Sequence, residues 1–216
     1  MATLIPDYRA LGLREFLRAY PKMAVRPTDS NELNIEGQFE FKARAEKYND
    51  IKGQYLLRIR IPLIFPRELP AVYELEKRIP RNGNYHVNPE GSLCLGSRLR
   101  VLQKLARLPT LVGFSQNCLV PYLFAVSHKL TYGGDFPFGE LAHGPVGELM
   151  DCLELFGLKT IEQSRMAVQY LGMKERKANK LPCPCGCGRR LGRCRFNMKL
   201  REFRRLAERG WFRSIL

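Results

Sequence analysis

The sequence predicts an α+β fold: a helix, an antiparallel meander, a long irregular loop, a helical half and a small cysteine-bearing element at the C-terminus. Three observations carry this. Apolar residues alternate with polar ones in two runs before residue 62, they recur at helical spacing after residue 118, and four cysteines fall within residues 183–194. At 216 residues the chain has room for one ordinary domain and a small appendage.

Taken in order, Tyr8, Leu11, Phe16, Leu17 and Tyr20 stand at roughly helical spacing, which predicts an amphipathic helix over 7–20, closed before Pro21 and lying on a sheet. Leu33, Ile35, Phe39 and Phe41 give a first strand. Tyr55, Leu57, Ile59 and Ile61, alternating with Arg58 and Arg60, give a second, with a turn over 48–53 between them. A third strand, 71–75, follows Pro62, Pro66 and Pro70, whose fixed φ angles hold the connection extended. Residues 78–97 show no period and contain Pro80, Gly83, Pro89, Gly91 and Gly96, which marks a long loop of the kind that carries function.

Helices are predicted next over 119–130, with Pro121 in the first turn, and over 145–156, with Val146, Leu149, Met150 and Leu153 inward and Gly157 as the stop. Thr160 and Gln163 form a capping box that opens a third helix, reaching Leu171 and Gly172. Asn197 is placed to cap a last helix, with Leu200, Phe203 and Leu206 inward and Gly210 at its end. Residues 174–180 read as a linker. The expected organisation is therefore a main domain over 1–172, a linker over 173–181 and a basic element over 182–216.

Charge is uneven along the chain. Of the net +15, residues 1–170 contribute 22 Lys and Arg against 18 Asp and Glu, and residues 171–216 contribute 14 against 3. No stretch reaches the ~18 apolar residues of a spanning helix. The first twenty residues carry Asp7, Arg9, Arg14 and Glu15, so they lack the apolar segment of a secretory signal. A cytoplasmic protein with no membrane partner is expected. In the tail, Arg201, Arg204, Arg205, Arg209 and Arg213 stand among Phe203, Trp211 and Phe212. They either meet phosphates, as weak non-specific nucleic-acid binding, or an acidic protein surface, or form a solvated helix face.

Cys183, Cys185, Cys187 and Cys194 offer four thiolates within reach of one ion on a loop loosened by Gly186, Gly188 and Gly192. Tetrahedral Zn2+ fits such a set best, and a knuckle this small folds only with metal. The other reading is redox chemistry or unstructured thiols. The pattern resembles the SEC-C motif, a short zinc-binding segment first recognised at the C-terminus of a bacterial secretion ATPase. Its Cys-x-Cys-x8-Cys spacing is met by Cys183, Cys185 and Cys194. Arg195 stands where the motif has its next ligand, which leaves Cys187 as the candidate fourth.

In the long loop, Tyr85-His86-Val87-Asn88-Pro89-Glu90-Gly91-Ser92-Leu93-Cys94-Leu95-Gly96 sets one thiol near two glycines, with an imidazole and a carboxamide upstream. Arg78, Arg81, Arg98 and Arg100 around it favour a thiolate, the nucleophilic form. An apolar plug, Leu93-Cys94-Leu95, is the bland alternative. Cys118 and Cys152 fall at apolar helical positions and read as core; His128 and His143 lack metal-ligand spacing.

The order of helix, meander, proline-rich excursion (Ile61-Pro62-Leu63-Ile64-Phe65-Pro66, then Pro70), His86-Val87-Asn88 and Gly91-Ser92-Leu93-Cys94-Leu95 resembles the ubiquitin-conjugating enzyme family over about residues 7–131. The resemblance implies a ubiquitin-conjugating-like antiparallel meander sheet flanked by helices. It also implies a Cys94 thioester with the C-terminus of a protein, Asn88 as oxyanion donor, His86 as a loop-ordering group, and transfer of the acyl group to an amine. Val87 replaces the family's proline, Gly96 stands where an Asp or Ser is usual, and the stretch from Asn88 to Cys94 is two residues shorter. Such shortened chains, and the segment 133–144, resemble prokaryotic members from antiphage operons, whose protein substrate is a cyclic-oligonucleotide synthase. No phosphate-loop motif appears, so activation of the carboxyl would come from a partner or from an already activated substrate. A catalytically inactive scaffold that binds protein or nucleic acid through the same fold and tail is the alternative.

Overall fold

Alternation of apolar and polar residues builds a four-stranded antiparallel sheet with one covered and one wet face. The computed structural model describes residues 11–27, 32–139 and 144–216. Along the chain these form α1 (Leu13–Ala19), β1 (Met23–Arg26), β2 (Glu32–Ala45), β3 (Tyr48–Pro62), β4 (Ala71–Glu74), α2 (Arg98–Leu105), α3 (Leu111–Phe114), α4 (Val120–Tyr132), α5 (Gly144–Phe156), α6 (Ile161–Leu171), α7 (Glu175–Ala178), α8 (Phe196–Arg204) and α9 (Arg209–Arg213). Two compact units result, Met1–Gly96 with Lys104–Glu140, and Ser97–Gln103 with Leu141–Leu216.

In the first unit the strands lie in the order β1-β2-β3-β4. Ile35 and Phe39 of β2, with Leu57, Ile59 and Ile61 of β3, are buried. α4 packs on β2 and β3, where the Tyr55 hydroxyl meets Ser127 Oγ at 2.8 Å. Glu36 opposes Arg58 on the wet face, with Arg58 Nε to the carboxylate at 2.9 Å. Such exposed pairs favour the register at well under 1 kcal/mol each.

Several expectations are corrected here. The first helix is seen from Leu13; Tyr8 and the rest of 7–10 lie outside the described residues. The turn expected over 48–53 is strand, and the reversal falls at 46–47. Asn49, Asp50 and Gly53 are turn formers by type, but Gly53 pairs with Phe41, and a Cβ there would come within 2.7 Å of the Phe41 ring. The glycine makes room for an aromatic ring. β1 has no counterpart in the sequence reading, and neither do α2 and α3. Gly37 of β2 lets β1 approach, since a Cβ there would stand 2.1 Å from the Lys22 carbonyl oxygen. Pro121 does sit in the first turn of α4, but that turn follows a π-helical turn, Ser115–Leu119, instead of a free start.

The second unit is built around a core of Leu149, Cys152 and Phe156 from α5, Val168 and Leu171 from α6, and Leu200 and Phe203 from α8. Val146 and Met150, expected inward, are 62% and 51% exposed. The α5 face that packs runs Leu149-Cys152-Phe156, one residue around from the expected stripe. Thr160 caps α6 as expected, accepting from the Gln163 N–H at 3.2 Å, while Gln163 Oε1 accepts from the Lys159 N–H at 2.8 Å. Residues 174–180 are no linker: they carry α7, and Ala178 is fully buried. The division expected near residue 172 gives way to one core shared by α5, α6 and the tail, because about 35 residues cannot bury a core alone. Asn197 does not cap α8; it lies buried inside it, and the helix ends at Arg204 with Gly210 inside α9.

Ser97 caps α2 in the same unit, accepting from the Arg100 N–H at 3.2 Å and donating to buried Asp151. Asp151 also pairs with Arg100, whose Nε reaches Oδ1 at 2.8 Å. Asp151→Ala removes the acceptor of the Ser97 hydroxyl and leaves Arg100 with the exposed Glu154 alone, 3.1 Å away. A loss of about 2–3 kcal/mol is expected in denaturant unfolding, below the range for a fully buried pair because Arg100 is partly exposed.

Candidate functional site

The long loop closes on itself as a narrow hairpin attached to β4. Val87 bridges Leu93, and Ser92 bridges Tyr73 of β4. The Leu93 N–H donates to the Val72 carbonyl at 2.8 Å, and the Cys94 N–H donates to the His86 carbonyl at 2.7 Å. Gly91, at φ +90°, makes the reversal that an L side chain would strain. The thiol-bearing residue is thereby fixed by its own backbone. Cys94 is half-buried, whereas Cys118 and Cys152 are buried, with thiols pushed up to about 11 and about 12 by desolvation. None of the seven cysteines is in a disulfide.

His86 and Asn88 both serve this hairpin. His86 is buried with a left-handed backbone, φ 51°, and its ring meets Phe136 edge-on at 4.7 Å. The Asn88 amide donates to Ser92 Oγ at 2.9 Å, and the Ser92 hydroxyl donates to Glu90 at 2.6 Å. Three groups were not singled out from sequence. Ser92 and Glu90 hold the amide, and Tyr122 donates its hydroxyl to the Tyr85 carbonyl at 2.8 Å. Burial first, and then the nearby Cys94, push the Tyr122 hydroxyl well above its usual range. Glu90 and Ser92 lay within the loop motif and Phe136 within the segment 133–144, whereas Tyr122 is distant in sequence and carried no local signal.

The basic surround expected at Cys94 is largely engaged elsewhere. Arg78 donates to the Gln54 carbonyl at 2.7 Å and lies over the Tyr55 ring. Arg98 is bonded to Ser214 and Arg100 to Asp151, both within the second unit. His128 sits among Tyr48 and Tyr132, each ring centre 4.9 Å away, and belongs to no cluster of three or more metal-ligating side chains among the described residues. His143 lies outside the described residues.

The second candidate is the cysteine cluster. Pro182 bridges Arg190, the Cys183 N–H donates to the Arg189 carbonyl at 2.8 Å, and Gly186 and Gly188 take left-handed φ of 76° and 72°. A single 3-10 turn, Leu191–Arg193, then delivers Cys194. Its Sγ lies 3.6 Å from those of Cys185 and Cys187, and Cys183 and Cys185 are 3.2 Å apart. All four sulfurs lie within 4.8 Å of one another. A tetrahedral site with ~2.3 Å metal–sulfur bonds has sulfur edges of about 3.8 Å. The four cysteines could hold one metal ion. The thiol of exposed Cys187 is lowered to about 7, first by the Arg189 N–H and then by the Cys185 thiol, while burial raises Cys183.

No helix among the described residues is long and apolar enough to cross a membrane. The chain matches no protein-family model, no curated protein and no solved structure.

Proposed function

We propose that the chain is a ubiquitin-conjugating-like acyl carrier, a cysteine acyltransferase whose Cys94 takes the C-terminal acyl group of a protein and passes it to an amine. One observation carries this reading: among the three cysteines outside the cluster, Cys94 alone is half-exposed, and it stands on a hairpin whose backbone holds it in place. The order of α1, β1 to β3, the proline segment, β4, the His86-to-Cys94 hairpin and then helices supports the ubiquitin-conjugating likeness. The Cys94 thiolate attacks an activated C-terminal carbonyl and expels its leaving group; an amine then attacks the thioester, and the thiolate leaves. Positioning and one oxyanion donor supply much of the rate for so activated an ester. Asn88 is that donor in this reading, and its amide must leave Ser92 to act. The acyl donor is a ubiquitin-like protein or a cyclic-oligonucleotide synthase, and the setting is antiphage defence in the cytoplasm. Zn2+ in the cysteine cluster is structural, since four thiolates leave no open position for chemistry.

A second reading, an inactive scaffold for protein or nucleic acid, is favoured by the engaged Asn88 amide. It is favoured too by exposed Arg176, Lys177, Arg189, Arg190, Arg193 and Arg195, for which the described residues provide no ion pair. Incubation with candidate donor proteins in extract, followed by non-reducing electrophoresis, separates the two. The carrier forms an adduct that thiol cleaves and that Cys94→Ala lacks; the scaffold forms none.

A further inference from the structure

The second unit contains an open pocket of about 720 Å³ that neither candidate site uses. That is within the size range of small-ligand pockets. Met173 and Ala207 give it apolar surface, backed by fully buried Leu171 and Phe212, so the walls are rigid. Four cations line it as well: Lys174, Arg204, Arg209 and Arg213. Of its two acids, Glu175 is bonded to Arg201 at 2.6 Å, and Glu208 also has a partner. The charge balance of the pocket is therefore positive.

Two details show how Arg204 and Arg213 are held. Arg204 Nη2 donates to the Tyr170 carbonyl at 2.7 Å, while its Nε and Nη1 are buried without a protein partner. Burial holds this guanidinium below its usual pKa, and no carboxylate is hydrogen-bonded to it. The wall thus contains a desolvated charge with no hydrogen-bonded carboxylate; Glu175, its nearby opposite charge, is bonded to Arg201. Gly172 has an ordinary helical φ of −72°, so its backbone does not require glycine. A Cβ there would stand 2.7 Å from Arg213 Cγ. The missing side chain lets the Arg213 stem lie against the end of α6.

We propose that this pocket binds a small phosphate monoester, its phosphate on Arg204, Arg209 and Arg213 and its apolar body on Met173 and Ala207. Guanidinium forks match phosphate oxygens, and three of them with a lysine exceed what one carboxylate can accept. The proposal stands independently of Cys94 chemistry.

The test is calorimetric titration of the full, metal-loaded chain with phenyl phosphate, with benzoate and inorganic phosphate as separate arms. Trp211, the sole tryptophan, lies between pocket residues Gly210 and Phe212 and gives a second, fluorescent readout. Phenyl phosphate is expected to saturate, to bind more tightly than either other anion, and to weaken as salt rises. Arg209→Ser with Arg213→Ser is expected to weaken it about tenfold or more, the worth of one charge-assisted hydrogen bond, with the melting temperature unchanged. Should that variant melt early, Lys174→Ser gives the same comparison from another wall. No saturable binding at millimolar phenyl phosphate, equal binding of benzoate, or undiminished binding by the folded variants overturns the proposal.

Discussion

In the metal-bound form proposed above, removing the ion from the cysteine cluster is expected to unfold the tail and much of the second unit with it. Cys183 and Leu191 belong to the same buried core as Leu149, Phe156, Val168 and Phe203, so the knuckle is part of that core's wall. Four sulfurs within 4.8 Å of one another, three of their pairs at 3.2 to 3.6 Å, cannot all ionise without a cation to share. The expected loss is several kcal/mol, short of the roughly 10–16 kcal/mol of finger peptides that have no other core. A thermal melt with and without chelator, read at Trp211, measures it. Cys183→Ser with Cys185→Ser is expected to reproduce the chelated state and to copurify without metal. An unchanged melt of protein shown by mass to be metal-free would remove the ion from the account.

Cys94 substitutions are expected to have the opposite character, a total effect on chemistry with almost none on stability. The side chain is partly exposed, and the hydrogen bond from its backbone N–H to the His86 carbonyl does not depend on the thiol. Cys94→Ala keeps that bond, so stability should change by no more than about 0.5 kcal/mol. Cys94→Ser is the informative variant, because a hydroxyl in the same place traps the acyl group as an oxyester. Its adduct with the donor protein should accumulate, survive thiol and yield only to alkali. If the serine variant forms no adduct while the wild type does, geometry at residue 94 is less permissive than the hairpin suggests.

What was legible in the sequence is what local pattern encodes. The alternation in Leu33-Ile35-Phe39 and Tyr55-Leu57-Ile59-Ile61 placed β2 and β3, and the Thr160–Gln163 spacing placed the start of α6. The cysteine cluster was legible because its four residues are neighbours in the chain. The misses have physical causes of their own. β1 is four residues with only Met23 buried, too short for a period to show. The α5 stripe was set one residue off because Val146, Leu149, Met150, Cys152 and Leu153 allow two apolar faces, and only packing against α6 chooses between them. The buried position of Asn197 is likewise tertiary: its type suits a cap, yet Phe196 already begins the helix. At the candidate site, His86, Asn88 and Cys94 were visible as a linear motif. The Asn88–Ser92–Glu90 chain and the Tyr122 and Phe136 contacts exist only once the hairpin closes and α4 crosses beneath it.

The central claim is that Cys94 is an acyl carrier, and intact-mass analysis tests it most directly. The protein is coexpressed with a candidate donor and its activating partner, then isolated in acid without thiol. The account predicts added mass equal to the donor protein less one water, mapped to the peptide bearing Cys94 and released by neutral hydroxylamine. Protein that is folded, metal-loaded and unmodified at Cys94 under those conditions, with the donor visibly activated in the same mixture, would contradict it.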